Sequence, residues 1–402
     1  MGGVDRRLWL AQAFLSGVAL ALLGLRSIPP HSYAKDLQQE YLAARALRDG
    51  LDVFAPITDL SARYFPVATD NFPHPNPHPP FLTLLSVPLT FLPFPAIVCL
   101  WLALSVVLLV VVGRWLGLSL RASLALAAWP PLWWLLYVGQ FELAVLALAM
   151  LGWRAAAAGR EWRAGVWLGL AAALKLYPAL LLAPYVVRRR LRVPLAAGLI
   201  FAASQVASLA AVGPSGLVRY YREVLPAVAD RYVRQGLNSS PYGALLRLFG
   251  GSSDVEPLAD AVGLVLPLTI VLSVLALLAL LRLEPELAPV AVLVAIPNAW
   301  GYYAVLALPA IVALLRRPGP RAPVLASAAA ASLVLPVVNL MLPLFGAAQW
   351  GQGRVPAVVG VLGAIQPAGY VGLLLLSGAL ALPRRGKSGR REPIRPSVTP
   401  GG

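Results

Sequence analysis

The chain has 402 residues, 59% of them hydrophobic and 12% charged, with a mean hydropathy of +0.75. So little polar surface excludes a water-soluble globular protein and points to an integral membrane protein. The net charge of +16 does not indicate nucleic-acid binding, because the basic residues fall in short clusters between apolar blocks, as cytoplasmic loops do.

Long apolar blocks predict an all-α polytopic membrane protein, not a barrel of alternating strands. Arg6 and Arg7 precede an apolar block over 8–25, read as a retained first span because no small-residue cleavage site occurs before Arg26. Basic clusters follow at Arg114 and Arg121, at Arg154, Arg160 and Arg163, at Arg188 to Arg192, at Arg316 to Arg321, and in the tail from Arg384. If all face the cytoplasm, an even number of crossings separates neighbouring clusters. The stretch between Arg163 and Arg188 then holds two short half-helices, broken at Lys175-Leu-Tyr-Pro178. Residues 286–316 behave alike, with Pro297-Asn-Ala-Trp-Gly-Tyr-Tyr303 at the apex, and residues 122–153 turn at Gly139-Gln140. The run 80–95, interrupted by Pro88 and Pro93, is expected as a juxtamembrane helix. The expected total is about twelve crossings, with both termini cytoplasmic. They form a single domain over 1–382, with large extracytoplasmic segments at 27–95 and 214–257 and a disordered basic tail at 383–402. Arg far outnumbers Lys, and with abundant Ala, Gly and Pro this fits a GC-rich bacterial genome. The single cysteine, Cys99, leaves no disulfide framework and no cysteine metal site.

The chemistry concentrates outside the first span. Segment 27–95 holds all three histidines (His31, His74, His78) and six of the seventeen acids. Over 36–48, Leu37, Tyr41, Ala44 and Leu47 recur at helical spacing, which predicts an amphipathic helix on the bilayer surface. Asp36, at its start, is either a helix cap or a working carboxylate. Lys175 is the only lysine inside an apolar block; it faces an anion or a hydrated cavity, or else snorkels to the headgroups. Arg219, Arg222 and Arg247 are phosphate contacts or solvated charges. Tyr41, Trp300, Tyr302 and Tyr303 either stack on sugar faces or anchor at the interface. Asn238 opens a formal glycosylation sequon but is read as a hydrogen-bonding residue. The histidines, with Asp36, Asp52, Asp59 and Asp70, match no standard metal spacing, and no metal or other cofactor is expected.

Several motifs, in order, carry a resemblance. Asp36-Leu-Gln-Gln-Glu-Tyr41-Leu-Ala-Ala-Arg45, followed by Gly50-Leu-Asp52-Val-Phe54, resembles the first outer loop of glycosyltransferase family 87, with Val53 and Phe54 in place of Pro-Tyr. His78-Pro-Pro is similar to that family's Tyr-Pro-Pro run, and Gly139-Gln140 to its Gly-Gln turn, with Glu142 where Asn is common. Leu170 to Pro178 resembles its lysine-containing hairpin, and Asn238-Ser-Ser-Pro-Tyr-Gly243 through Arg247 its Asn-x-Ser…Gly…Arg element. Pro297-Asn-Ala-Trp300-Gly-Tyr302 parallels a Ser-Trp-x-His-Tyr element, with Tyr302 at the histidine position.

The resemblance implies a GT-C-type fold and polyprenol-phosphate-mannose-dependent mannosyl transfer at the extracytoplasmic face of a bacterial plasma membrane. It implies Asp36 as catalytic base, Lys175 and Arg247 as donor-phosphate ligands, and Tyr41, His78, Gln140, Tyr177, Asn238, Trp300 and Tyr302 as substrate-binding residues. The expected partners are a polyprenyl-phosphate sugar, a glycolipid or polysaccharide acceptor, and the bilayer. The chemistry agrees, since displacement at the anomeric carbon needs a base for the acceptor hydroxyl and a cation for the leaving phosphate. Such a displacement inverts, and needs no second carboxylate at retaining spacing. The rival is a lipid or sugar transporter or flippase, which predicts inverted repeats and acids deep in the spans.

Overall fold

The computed structural model describes residues 34–65, 73–317, 321–332 and 355–381. The first apolar block, His31, Asp70 and the basic tail therefore lie outside the described residues. Among those described, the chain is helical throughout, with one isolated parallel bridge between Val255 and Val355.

Four helical stretches are long and apolar enough to cross a bilayer: Phe94–Trp115, Arg192–Val233, Val262–Leu280 and Ala357–Ala379. Their apolar side chains stay exposed, as at Leu100, Val107, Leu199, Leu266 and Leu375. A band of this kind is stable against hydrocarbon, so the chain is a multi-pass membrane protein. A bent pair, Pro130–Val138 and Glu142–Ala157, meets at 115° and makes a fifth candidate. The remaining apolar stretches are shorter and interrupted: Pro80–Phe91, Tyr177–Val187 and Gly301–Arg316. Proline sits at the first or second position of many of these pieces, where its missing N–H is harmless, so each restarts a helix instead of extending one.

The Lys35–Arg48 helix forms where periodicity places it, but it does not lie on a surface. Ten of its fourteen residues are buried, including Asp36, Gln38, Gln39 and Glu40. An amphipathic pattern predicts one dry face; here the polar face is covered too. The Tyr41 hydroxyl donates to Leu92 O at 3.1 Å, and Arg48 Nη1 donates to Thr90 O at 2.8 Å, tying the helix to the Val87–Phe91 turn.

The Arg192–Arg219 helix kinks at Gly213, with φ 72° ahead of Pro214, and runs on through Tyr220–Val224 and Leu225–Val233. The segment beginning at residue 214 is thus entered by a continuing helix, not by a loop. It packs on the first polar segment through a small core of Val53, Phe54, Tyr220, Val224 and Val228. Phe54 stacks on Tyr220 at 6.2 Å.

Helices Glu161–Leu174 and Arg192–Arg219 approach backbone to backbone through small residues. A Cβ at Gly169 would sit 2.8 Å from Ala197 Cα, and one at Gly165 would collide with Val193 O. In hydrocarbon, such close contact replaces the hydrophobic drive that water would supply. Gly169→Val should therefore lower stability by about 1–3 kcal/mol through overpacking. Gly198→Ala, on an open face of the second helix, should leave the detergent melting temperature unchanged.

Candidate active site

The centre is built where four chain interruptions meet. The first is the start of the Lys35–Arg48 helix. Ala34 takes a left-handed conformation (φ 52°) and donates its N–H to Tyr137 O at 2.9 Å, which pins the helix start to the end of Pro130–Val138. Asp36 is not the cap of this helix, because Ala34 occupies that position without a side-chain bond. Its carboxylate instead accepts from Gln39 Nε2 at 3.2 Å and from Gln140 Nε2 at 2.7 Å.

Gln140 comes from the second interruption. Gly139 closes the Pro130–Val138 helix at φ 80°, and the N–H groups of Gly139 and Gln140 both donate to Leu135 O. Only glycine suits this turn: it is left-handed, and a Cβ would fall 2.6 Å from Leu37 Cβ. Glu142 then opens the next helix, where the helix dipole favours an acid.

The third interruption ends Glu161–Leu174 at Lys175, whose backbone is extended (φ −145°, ψ 140°). A cation at a helix C-terminus is favoured in turn. Lys175 Nζ donates to Gln140 Oε1 at 2.7 Å and to Glu142 Oε1, and lies 5.3 Å from the centroid of the Tyr303 ring. The side chains of Lys175 and Glu142 are 6% and 0% exposed, so the ammonium is not snorkelling to the headgroups. An ammonium only donates and a carboxylate only accepts, so the orientation of Gln140 is forced: oxygen to Lys175, nitrogen to Asp36. Carboxylate and cation are thus joined through one amide.

The fourth interruption carries the aromatics. Tyr302 and Trp300 stack with rings 6.4 Å apart and 6° from parallel, Tyr303 leans on Tyr177 at 5.3 Å, and Tyr232 meets Trp300 edge-on at 5.2 Å. Asp36 lies close enough to bear electrostatically on Lys175, Tyr232, Tyr302 and Tyr303.

The structure therefore gathers Asp36, Gln140, Lys175, Tyr177 and Tyr302, with Trp300 stacked at the margin. One helical turn beyond Asp36, Glu40 pairs through Oε1 with His78 Nδ1. Three expected residues stand apart from this cluster. Tyr41 is packed between Phe65 and Phe94. Asn238 donates to Val233 O and Pro297 O and accepts from the N–H groups of Ser240 and Ala299, which uses all its hydrogen-bonding capacity. Arg247 is fully buried and donates to the carbonyls of Gly236, Asn238 and Gly363. Burial pulls its guanidinium down to about 10, with the Asp254 charge acting in the opposite direction. Asn238 braces the loop that carries Trp300, and Arg247 holds the Gly236–Asn238 stretch behind it.

Glu142, Tyr303, Glu40 and His74 take places here that the sequence does not assign them, although it offers Tyr303 as a stacking or anchoring ring and His74 within a metal set. Glu142 carried a signal, as an acid within an apolar stretch directly after a glycine turn. His74 stands out in sequence only as one of three histidines, and its pairing with the Tyr232 hydroxyl joins positions far apart in the chain. Its Nδ1 faces Pro75 O at 2.7 Å, which fixes the proton there, and burial lowers the imidazole below its ordinary value. Among the described residues, no group of three or more His, Cys, Asp or Glu is placed to hold a metal ion.

Apolar spans around a buried polar centre define a polytopic membrane protein with a candidate active site inside its helical body. The model of glycosyltransferase family 87 matches residues 77–299, more than half of the sequence, and the chain belongs to that family. The match includes His78, Gln140, Glu142, Lys175 and Asn238, while Asp36 lies ahead of it and Trp300 just beyond. The chain is also similar to two proteins named polyprenol-phosphate-mannose-dependent alpha-(1-2)-phosphatidylinositol pentamannoside mannosyltransferase. The one from Mycolicibacterium smegmatis is 30% identical over 267 residues, covering 62% of this chain and 63% of that protein. The one from Mycobacterium tuberculosis is 30% identical over 228 residues, covering 53% and 51% respectively. The chain thus spans between about half and under two thirds of these relatives' length. No solved structure matches it.

The pairing of Lys175 with Glu142 makes a stability prediction. Glu142→Ala leaves a buried ammonium without its counter-ion and should cost about 3–5 kcal/mol, whereas Lys175→Met with Glu142→Leu should recover most of that loss. Denaturation of both variants in detergent checks it.

Proposed function

We propose that this chain is an inverting membrane glycosyltransferase that moves a hexose, mannose, from polyprenyl phosphate to a lipid-linked or polysaccharide acceptor. The observation that carries the reading is the Asp36–Gln140–Lys175 connection in a buried centre. Membership of family 87 and the donor named for the two relatives support the same substrate class.

In this mechanism Asp36 takes the proton of the acceptor hydroxyl as its oxygen attacks the anomeric carbon, and the bond to the phosphate oxygen breaks on the opposite face. Gln39 and Gln140 hold the carboxylate so that its direction is set before substrate arrives, which removes reorganisation from the barrier. The departing phosphate gathers negative charge and draws on Lys175, an ammonium whose field is strong because water is largely excluded. Lys175 already donates to Gln140 and Glu142, which leaves one N–H of the ammonium for the arriving phosphate. The reaction so drawn needs no divalent ion. Trp300 and Tyr302 offer ring faces to the sugar, and the His78–Glu40 pair lies where an acceptor would approach Asp36. We place this centre at the extracytoplasmic face of a bacterial plasma membrane, in a GT-C-type fold of about twelve crossings with both termini inside, on the distribution of arginine clusters.

Asp36→Asn preserves shape but cannot accept the proton. Incubation with labelled polyprenyl-phosphate mannose and membrane lipid extract should show kcat reduced about 10²–10⁴-fold. Donor binding should be unchanged, because the amides and Lys175 remain. Full transfer by this variant would remove the base from Asp36. Lys175→Met should instead raise KM for the donor, and unchanged donor affinity there would refute the phosphate assignment.

A further inference from the structure

Several buried polar atoms in and around the centre hold no hydrogen bond with any described residue; besides Gln39 Oε1 and Glu40 Oε2 on the Lys35–Arg48 helix, they include Glu142 Oε2 and the Tyr177 hydroxyl on the Lys175 side. Glu142 is 0% exposed and commits only Oε1, to Lys175. Tyr177 enters the centre just after Lys175 and rests on the Tyr303 ring, which also covers the ammonium. Lys175, bonded to Glu142, lies over the same Tyr303 ring that Tyr177 leans on, so both residues border the Lys175–Tyr303 contact.

Buried polar atoms are ordinarily paired, and an unpaired carboxylate oxygen is among the costlier exceptions. Such a cost is retained where a ligand supplies the partner. The chemistry of that partner follows from the two atoms: a carboxylate oxygen only accepts, while a phenol both donates and accepts. A sugar hydroxyl satisfies both, donating to Glu142 and accepting from Tyr177. A phosphate does not, because it would meet the carboxylate as a like charge.

We propose that Glu142 and Tyr177 form the subsite that reads a hydroxyl of the transferred sugar, with Lys175 holding the carboxylate in position. This rests on the glycosyltransferase reading above and deepens it, making Glu142 a specificity determinant. It also gives chemical meaning to the departure from asparagine at this position. A carboxylate accepts at both oxygens and holds a hydroxyl through a charge-assisted bond, whereas an amide offers one acceptor and one donor group.

The test compares the full-length wild type, Glu142→Gln and Tyr177→Phe in lipid nanodiscs. The donors are polyprenyl-phosphate mannose and its 2-, 3-, 4- and 6-deoxy analogues. Wild type should lose about 10- to 100-fold in kcat/KM on one deoxy donor, the measure of a charge-assisted hydrogen bond. Both variants should lose a comparable factor on the full donor and should no longer discriminate against that same analogue. Tyr177→Phe removes a hydroxyl that holds no bond, so its melting temperature should match wild type, which keeps the test open if Glu142→Gln folds poorly. Wild-type discrimination retained in Tyr177→Phe and in folded Glu142→Gln overturns the subsite while leaving the transferase reading intact. Absence of transfer by wild type from any of these donors overturns both.

Discussion

A lysine ammonium inside a helical membrane protein has few stable arrangements, and the one adopted by Lys175 organises everything around it. Removing the ammonium from water is costly unless opposite charge and hydrogen bonds replace the hydration shell. Glu142 supplies the charge, the Gln140 carbonyl a neutral acceptor, and the Tyr303 ring a π-face. Because Gln140 must turn its oxygen to the ammonium, its nitrogen is left for Asp36, and the amide carries the constraint across to the carboxylate. The orientation of the proposed base is thus a consequence of where a cation can be buried.

The backbone serves this arrangement by interruption. Unbroken helices would satisfy their own N–H and C=O groups and bring few polar side chains to one depth. Instead Gly139, Lys175 and the 296–300 stretch each end a helix near the same place. Helix ends also supply the right fields: Glu142 lies at an N-terminus and Lys175 at a C-terminus, so each sits on the favoured side of a helix dipole. Asn238 holds the last of these turns, and Arg247 holds Asn238 from behind. Arg247 uses its buried guanidinium to collect backbone carbonyls, and Asn238 bridges the 238–240 and 297–299 loops.

The sites of helix interruption were legible in the sequence because proline, glycine and charge parity act locally. The breaks at 139–140, 175–178 and 297–303 fall where residue chemistry places them. Helix 36–48 was also legible from its spacing, yet its depth was not. Hydrophobic periodicity reports which face is apolar, but it cannot show that Gln38, Gln39 and Glu40 will be covered by other elements. For the same reason Arg247 and Asn238 looked like ligands: a cation and an amide in a polar stretch advertise binding, and only packing reveals that backbone has already claimed them.

Composition and the order of basic clusters determined that this chain lives in a membrane as bundled helices. Motif order further placed a carboxylate at position 36 and an amine at 175 among the residues of interest. These are properties of residue type and local spacing, which a linear chain displays directly. What tertiary structure decided is partnership: Lys175 with Glu142, Gln140 between Lys175 and Asp36, His78 with Glu40, and Tyr177 with Tyr303. Partnerships among residues tens of positions apart depend on how broken helices pack in three dimensions. The energy of a buried charge depends on exactly those neighbours, so no reading of single positions could supply it.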